Sequence, residues 1–205
     1  MINKKKLHHL WAKIRPISFW YFLAAFLLSL GITVSALRQN NLHMIELRNK
    51  VTIADKNDGD VEKALRNLRQ YVYTHMNTNL ASGPLAIKPP IQLKYRYERL
   101  AKAEQARVSK VNAAVYSSAQ KICEQKYPHN ISGGPRVPCI QDYVTKNGAK
   151  AKPISDALYK FDFVSPVWSP DLAGWGLLAT ALFFFLFLLR YGLEKWVRAT
   201  LQAHD

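Results

Sequence analysis

Two apolar runs, residues 17–37 and 172–189, bracket a long and mostly polar middle segment, and they constrain this 205-residue chain more than any other feature. About 20 residues at 1.5 Å rise per residue cross the ~30 Å hydrocarbon core of a bilayer. The first run meets that length, and the second does so when extended through Tyr191 and Leu193. Neither contains a charged residue, and a lone charge at mid-membrane costs about 2.5–3.5 kcal/mol on insertion scales. Trp11, Trp20 and Tyr21 flank the first run, and Trp168, Trp175, Tyr191 and Trp196 flank the second. Amphipathic rings favour the headgroup level, so both runs carry membrane anchors. Ser169, Pro170 and Asp171 read as the start of the second span: a hydroxyl N-cap, a proline at the first helical position and an acid on the positive end of the helix dipole.

Basic residues close to a span set its orientation. The tail 1–16 carries Lys4, Lys5, Lys6, Lys13 and Arg15 with no acid among them, and 190–205 carries Arg190, Lys195 and Arg198 against Glu194 and Asp205. Both tails are expected in the cytoplasm, with residues 38–171 outside. Near the inner leaflet each basic residue of the first tail is worth about 1 kcal/mol. The segment 38–171 is itself basic, with 21 Lys and Arg against 12 Asp and Glu, but long loops cross largely regardless of charge. A rival reading makes the first run a cleavable signal peptide with an A-x-A-like site at Val34, Ser35 and Ala36. The run is longer than the ~7–15 residues of a signal h-region, and the middle segment lies outside either way.

The two cysteines suit that compartment. Cys123 and Cys139 enclose a segment rich in Gly and Pro, and a disulfide closing about 15 residues contributes about 3 kcal/mol in the chain-entropy model. Two free thiols are the alternative. Zinc is a poor fit, since His129 alone lies nearby and no C-x-x-C occurs.

The fold class expected is mainly α: two transmembrane helices flanking an extracytoplasmic helical bundle with a long third helix and a disulfide loop. No Gly or Pro interrupts residues 32–56, so the first span is expected to continue outward as one helix of about 40 residues. Leu37, Met44, Leu47, Val51 and Ala54 mark its apolar side. Asn57, Asp58 and Gly59 form a turn, Asp58 or Asp60 caps the next helix, and Val61, Leu65, Leu68, Val72 and Met76 give that helix its stripe. After a linker ending at Pro89 and Pro90, a third helix is expected from Ile91 to about Tyr127, with Leu93, Tyr97, Leu100, Val108, Val111, Val115 and Ile122 on one face. If it starts near the membrane, its length carries the disulfide loop about 25 Å past the tip of the hairpin. A short helix from Ile140 to Lys146 would end in a left-handed cap at Asn147 and Gly148, and 150–168 reads as irregular.

No catalytic motif is present: the chain lacks G-x-S-x-G, H-E-x-x-H and any glycine-rich phosphate loop. An enzyme is not expected, nor a cofactor. The acidic turn at Asp55, Asn57, Asp58 and Asp60 fails as an EF-hand, because Gly59 falls one place early and Arg66 stands at position twelve. Helix capping explains it better. His43 with Met44 and His75 with Met76 fall at similar heights in the hairpin and form a candidate copper set, although Met44 and Met76 also sit on the apolar stripes. Asn130, Ile131 and Ser132 match the glycosylation pattern, a short signal that carries little weight.

The net charge of +15 is spread over helices and interleaved with acids, which disfavours nucleic acid as a partner. The partners expected are the lipid bilayer, a protein or a second copy of the chain, and an anionic envelope polymer drawn by the positive outer segment. LRNKVTIADKNDGDVEKALRNLRQYVYTHMNTNL (47–80), IQLKYRYERL (91–100) and LYKFDFVSPVWSPDLAGW (158–175) resemble a family of uncharacterised two-span membrane proteins of ultrasmall, reduced-genome bacteria. The resemblance covers most of the middle segment, implies a bacterial envelope and brings no functional residues. Three function classes follow: an envelope protein whose outer helical segment mediates protein interaction or assembly, a sensor or signalling subunit acting through a separate partner, and a metal- or ligand-binding outer domain.

Overall fold

The computed structural model describes residues 18–81, 87–128 and 134–202. The chain is mainly helical, with five helices in that stretch: α1 (Phe19–Lys56), α2 (Val61–Thr74), α3 (Lys94–Lys126), α4 (Arg136–Asn147) and α5 (Leu172–Gln202). Two short strands, β1 (Ile91–Gln92) and β2 (Lys160–Phe161), pair antiparallel with Ile91 opposite Phe161. Contacts divide the chain into two units, the first built from residues 1–51, 62–85 and 163–205 and the second from 52–61 and 86–162.

In the first unit, α1 and α5 are long and apolar enough to cross a membrane. Only 11% of each apolar window is buried inside the chain, so neither is a core helix of a water-soluble domain. α1 runs unbroken for 38 residues, as expected for a stretch with no breaker after Gly31. Its inward face recurs at helical spacing, with Thr33, Ala36, Met44 and Val51 buried. On α2 and just beyond it, Leu65, Leu68, Val72 and Met76 are buried, so that stripe is as the periodicity predicts. Ala36, Met76 and Ala173 form one apolar cluster flanked by Leu37.

The start of α5 differs from expectation. Asp171 is its N-cap: the Oδ1 atom accepts the Gly174 N–H at 2.9 Å, while Ser169 turns inward and its Oγ accepts the Met76 N–H at 2.9 Å. A carboxylate placed three residues ahead satisfies a free helical N–H and the dipole together, which leaves the serine available for a tertiary bond. The helix also runs past Leu189 to Gln202.

In the second unit, α3 starts at Lys94 rather than Ile91, because Ile91 and Leu93 are drawn into extended pairing: β1 meets β2, and the Leu93 N–H donates to the Tyr159 carbonyl at 2.8 Å. The expected irregular stretch 150–168 therefore contains a strand, preceded by a 3-10 turn at Asp156–Leu158. The start of α3 is fastened to the last turn of α1, where Asp55 accepts the N–H groups of Tyr95 at 3.0 Å and Arg96 at 2.7 Å.

The packed face of α3 is rotated from the predicted stripe. Ala119 and Cys123 are buried, while Tyr97, Val111 and Ile122 are exposed. Glu104 and Asn112 hold positions on the packed side because they bind backbone. Asn112 Oδ1 accepts the Ala149 N–H at 2.7 Å, its Nδ2 donates to the Ala149 carbonyl at 3.2 Å, and Glu104 accepts the Lys152 N–H at 2.8 Å. α4 begins at Arg136, ahead of the predicted Ile140. Pro138 is tolerated there because first-turn N–H groups have no intrahelical partner to lose. Gly148 is extended, at φ −67° and ψ 139°, rather than left-handed, since the chain leaves α4 directly into the Asn112 clamp. Cys123 and Cys139 are joined by a disulfide with Cα atoms 6.0 Å apart, tying α3 to α4.

Candidate functional site

A set of side-chain contacts in the first unit lies where the two apolar helices meet α2. Thr33 and Thr180 place their hydroxyls 3.1 Å apart. Gly176 permits that approach, because a Cβ there would fall 2.6 Å from Thr33 Oγ1. Small residues and hydroxyl pairs are the usual means by which helices associate in lipid, where apolar burial offers no driving force.

Two turns further along α1, Asn40 donates from Nδ2 to Asp171 Oδ2 at 2.7 Å and to the Met76 carbonyl at 3.3 Å. Asn77, in the left-handed region at φ 61°, donates to the Leu37 carbonyl at 3.0 Å. Thr78 is buried and its hydroxyl donates to the His75 carbonyl at 2.7 Å, satisfying the end of α2. These bonds clasp α1, the end of α2 and the start of α5 around Asp171. Burial works to raise the Asp171 pKa, but the Gly174 N–H, the Asn40 amide and the Ser169 hydroxyl outweigh it and hold the carboxyl below its ordinary value.

The histidines of the candidate copper set lie beside this clasp. Tyr71 stands between them, its ring centroid 4.6 Å from that of His43 and 4.0 Å from that of His75. His43 Nδ1 lies 3.4 Å from Glu46 Oε2, and His75 Nδ1 lies 3.1 Å from the Tyr71 carbonyl oxygen. Met44 and Met76 are buried in the apolar core. Among the described residues no group of three or more His, Cys, Asp or Glu side chains is placed to hold a metal. The Tyr71 hydroxyl has its pKa raised by burial and by the charge of Asp171.

Two cavities run along the outer side of α1. One, of about 380 Å³, is lined by Leu27, Leu28, Gly31, Ile32, Ser35 and Leu172 among others. The next, of about 460 Å³, is lined by Gln39, Asn40, Leu42, His43, Glu46 and Tyr71. Gln39 lines both, and both are open to the surface.

Of the anchors read from sequence, Trp20, Trp168, Trp175 and Trp196 are exposed, and the Trp168 and Trp175 rings meet edge to face at 5.8 Å. Val164 and Val167 beside them are exposed as well, Val167 to 96%. Trp11, Lys4, Lys5, Lys6, Lys13, Arg15 and the Asn130 glycosylation pattern lie outside the described residues. Sequence reasoning missed Thr33, Asn40, Asn77 and Thr180. The available signal was positional, since Thr33 and Asn40 fall on the same helical face as Ala36 and Met44. Comparison with family models, curated proteins and solved structures gives no match to this chain.

Proposed function

We propose that this is a non-enzymatic envelope protein of a bacterium, held in the plasma membrane by α1 and α5 with both termini in the cytoplasm, whose outer helical segment mediates protein interaction or assembly. The observation that carries the reading is the Cys123–Cys139 disulfide, placed between two helices long and apolar enough to span a bilayer. Structural disulfides persist in oxidising compartments, which supports an outside location for residues 38–171. The exposed Val164, Val167, Trp168 and Trp175 at the start of α5 support a membrane boundary at that level, since aromatic side chains collect at the headgroups. The absence of catalytic motifs favours a binding role over chemistry. The outer surface, with its excess of Lys and Arg, also suits an anionic envelope polymer.

A relay role is the second reading, favoured by the unbroken α1, which passes from the apolar span to the Asp55 turn as one 38-residue rod. Helices of this kind transmit small shifts across an interface. Crosslinking of the tagged full chain in intact native cells, followed by mass spectrometry, separates the two. Links from the region of Cys123 and Cys139 to another protein support the assembly role. Links confined to the two tails favour the relay. Labelling of single cysteines placed at exposed Tyr116 and at Trp196 with a membrane-impermeant maleimide tests orientation: Tyr116→Cys should react in intact cells and Trp196→Cys only after lysis.

A further inference from the structure

Residues 163–170, just ahead of α5, carry no charge and turn their hydroxyl groups inward. The Ser165 N–H and hydroxyl both donate to Asn79 Oδ1, at 3.1 and 2.8 Å, and the buried Ser169 accepts the Met76 N–H at 2.9 Å. Pro166 and Pro170 have no N–H to hydrate. Phe163 is buried and meets the Tyr73 ring edge to face at 6.1 Å, which seats the segment against the last turn of α2. What faces outward is apolar: Val164 is 69% exposed, Val167 96% and Trp168 42%. The apolar surface continues along the chain into Leu172 and Trp175 of α5, 63% and 60% exposed. Asp171 makes no polar break between them, because its Oδ1 accepts the Gly174 N–H and its Oδ2 the Asn40 amide.

We propose that residues 164–168 form a wedge that seats in the outer leaflet of the membrane. The proposal rests on α5 spanning the bilayer, as described above. Continuity selects the occupant: the exposed face runs directly into a helix whose apolar window is only 11% buried, so the lipid that covers Leu172 and Trp175 covers Val167 as well. Irregular backbone does not enter the hydrocarbon, where its unpaired polar groups have no water. The wedge therefore stops at the boundary of headgroups and acyl chains, about 5–10 Å deep, the level at which the rings of Trp168 and Trp175 are favoured. Seated there, the segment holds Ser169 and Asp171 at the membrane surface, and with them the clasp to Met76 and Asn40.

The test uses the full chain in phospholipid vesicles, diluted so that most vesicles hold a single chain. Cys123 and Cys139 are bridged, so a cysteine placed by Val167→Cys or Val164→Cys is labelled alone with a polarity-sensitive nitrobenzoxadiazole dye. At both positions the dye should be shielded from aqueous iodide. It should also be quenched about twofold more strongly by a lipid nitroxide near the acyl carbonyls than by one near the chain ends, as interfacial depth requires. Adding Val167→Asp should return the dye at Val164→Cys to water, with melting unchanged because both side chains are exposed. Leu182→Cys, exposed and 10 residues into α5, reports on the span itself and should be quenched by the deep nitroxide. A dye at Val167→Cys that no lipid nitroxide quenches, beside a quenched Leu182→Cys, overturns the wedge and leaves the span standing. A dye at Leu182→Cys that iodide reaches refutes the membrane reading and the wedge with it. Shielding at Val167→Cys that develops only when several chains share a vesicle overturns the wedge and assigns the surface to a second copy.

Discussion

Replacing Asp55 with alanine should destabilise the second unit more than any other single surface-to-core polar change in it. The side chain is almost wholly buried, at 4% relative exposure. It accepts the Tyr95 and Arg96 N–H groups at the start of the 33-residue α3 and a guanidinium N–H of Arg99 at 3.2 Å. Losing a helix N-cap costs about 0.5–2 kcal/mol. Losing a hydrogen bond to a charged partner costs about 1.5–3 kcal/mol. Arg99 is 36% exposed and keeps Asp58 at 3.0 Å, so the second cost falls at its lower end, and the sum is about 3 kcal/mol. For a chain of this size that corresponds to a fall in Tm of about 6–12 °C. Asp55→Asn keeps one acceptor oxygen but turns an amide N–H toward a donor, and should lose about half as much. The assay is thermal unfolding of the full chain in nanodiscs by circular dichroism, together with hydrogen exchange of residues 94–98. The reasoning is refuted if Asp55→Ala melts within 2 °C of wild type, or if exchange in the first turn of α3 is unchanged.

Leu68 is fully buried, so Leu68→Asp places an unpaired charge in the core of the first unit and should cost at least about 4 kcal/mol. A wild-type melting curve would contradict the stripe. Reduction of Cys123–Cys139, or Cys123→Ser with Cys139→Ser, should lower stability by about 3 kcal/mol, the entropy of a closed loop of this length. Two alkylatable thiols in the non-reduced protein would refute the bridge. Glu104, hydrogen-bonded to Arg107 and to the Lys152 N–H, has its pKa lowered to about 2. Because the folded value lies below the unfolded one, its stabilisation is complete above about pH 4.5 and disappears as pH falls through about 2. Melts across that window should show Glu104→Gln losing less stability on acidification than wild type, and equal losses would refute the assignment.

The apolar helices, the α1–α2 hairpin and the pairing of the cysteines were legible in the residues themselves. Leu65, Leu68 and Val72 announce their face because burial on a helix imposes a repeat of 3.6, and residues 17–37 announce a stretch long and apolar enough to cross a membrane because it holds no charge over that length. The start of α4 was less legible. Pro135 and Pro138 stand at that start, and a first-turn proline loses no bond.

What only the tertiary structure decided is the set of polar links. Asn40 with Asp171, Asp55 with Tyr95 and Arg96, Asn112 with Ala149 and Thr33 with Thr180 join residues from 37 to 147 positions apart. Nothing in the residue types or their spacing names these pairings. Apolar burial is non-directional and accumulates over many residues, so it leaves a pattern along the chain. A hydrogen bond is short and directional, so its partner exists only once the backbone has placed two distant atoms about 3 Å apart.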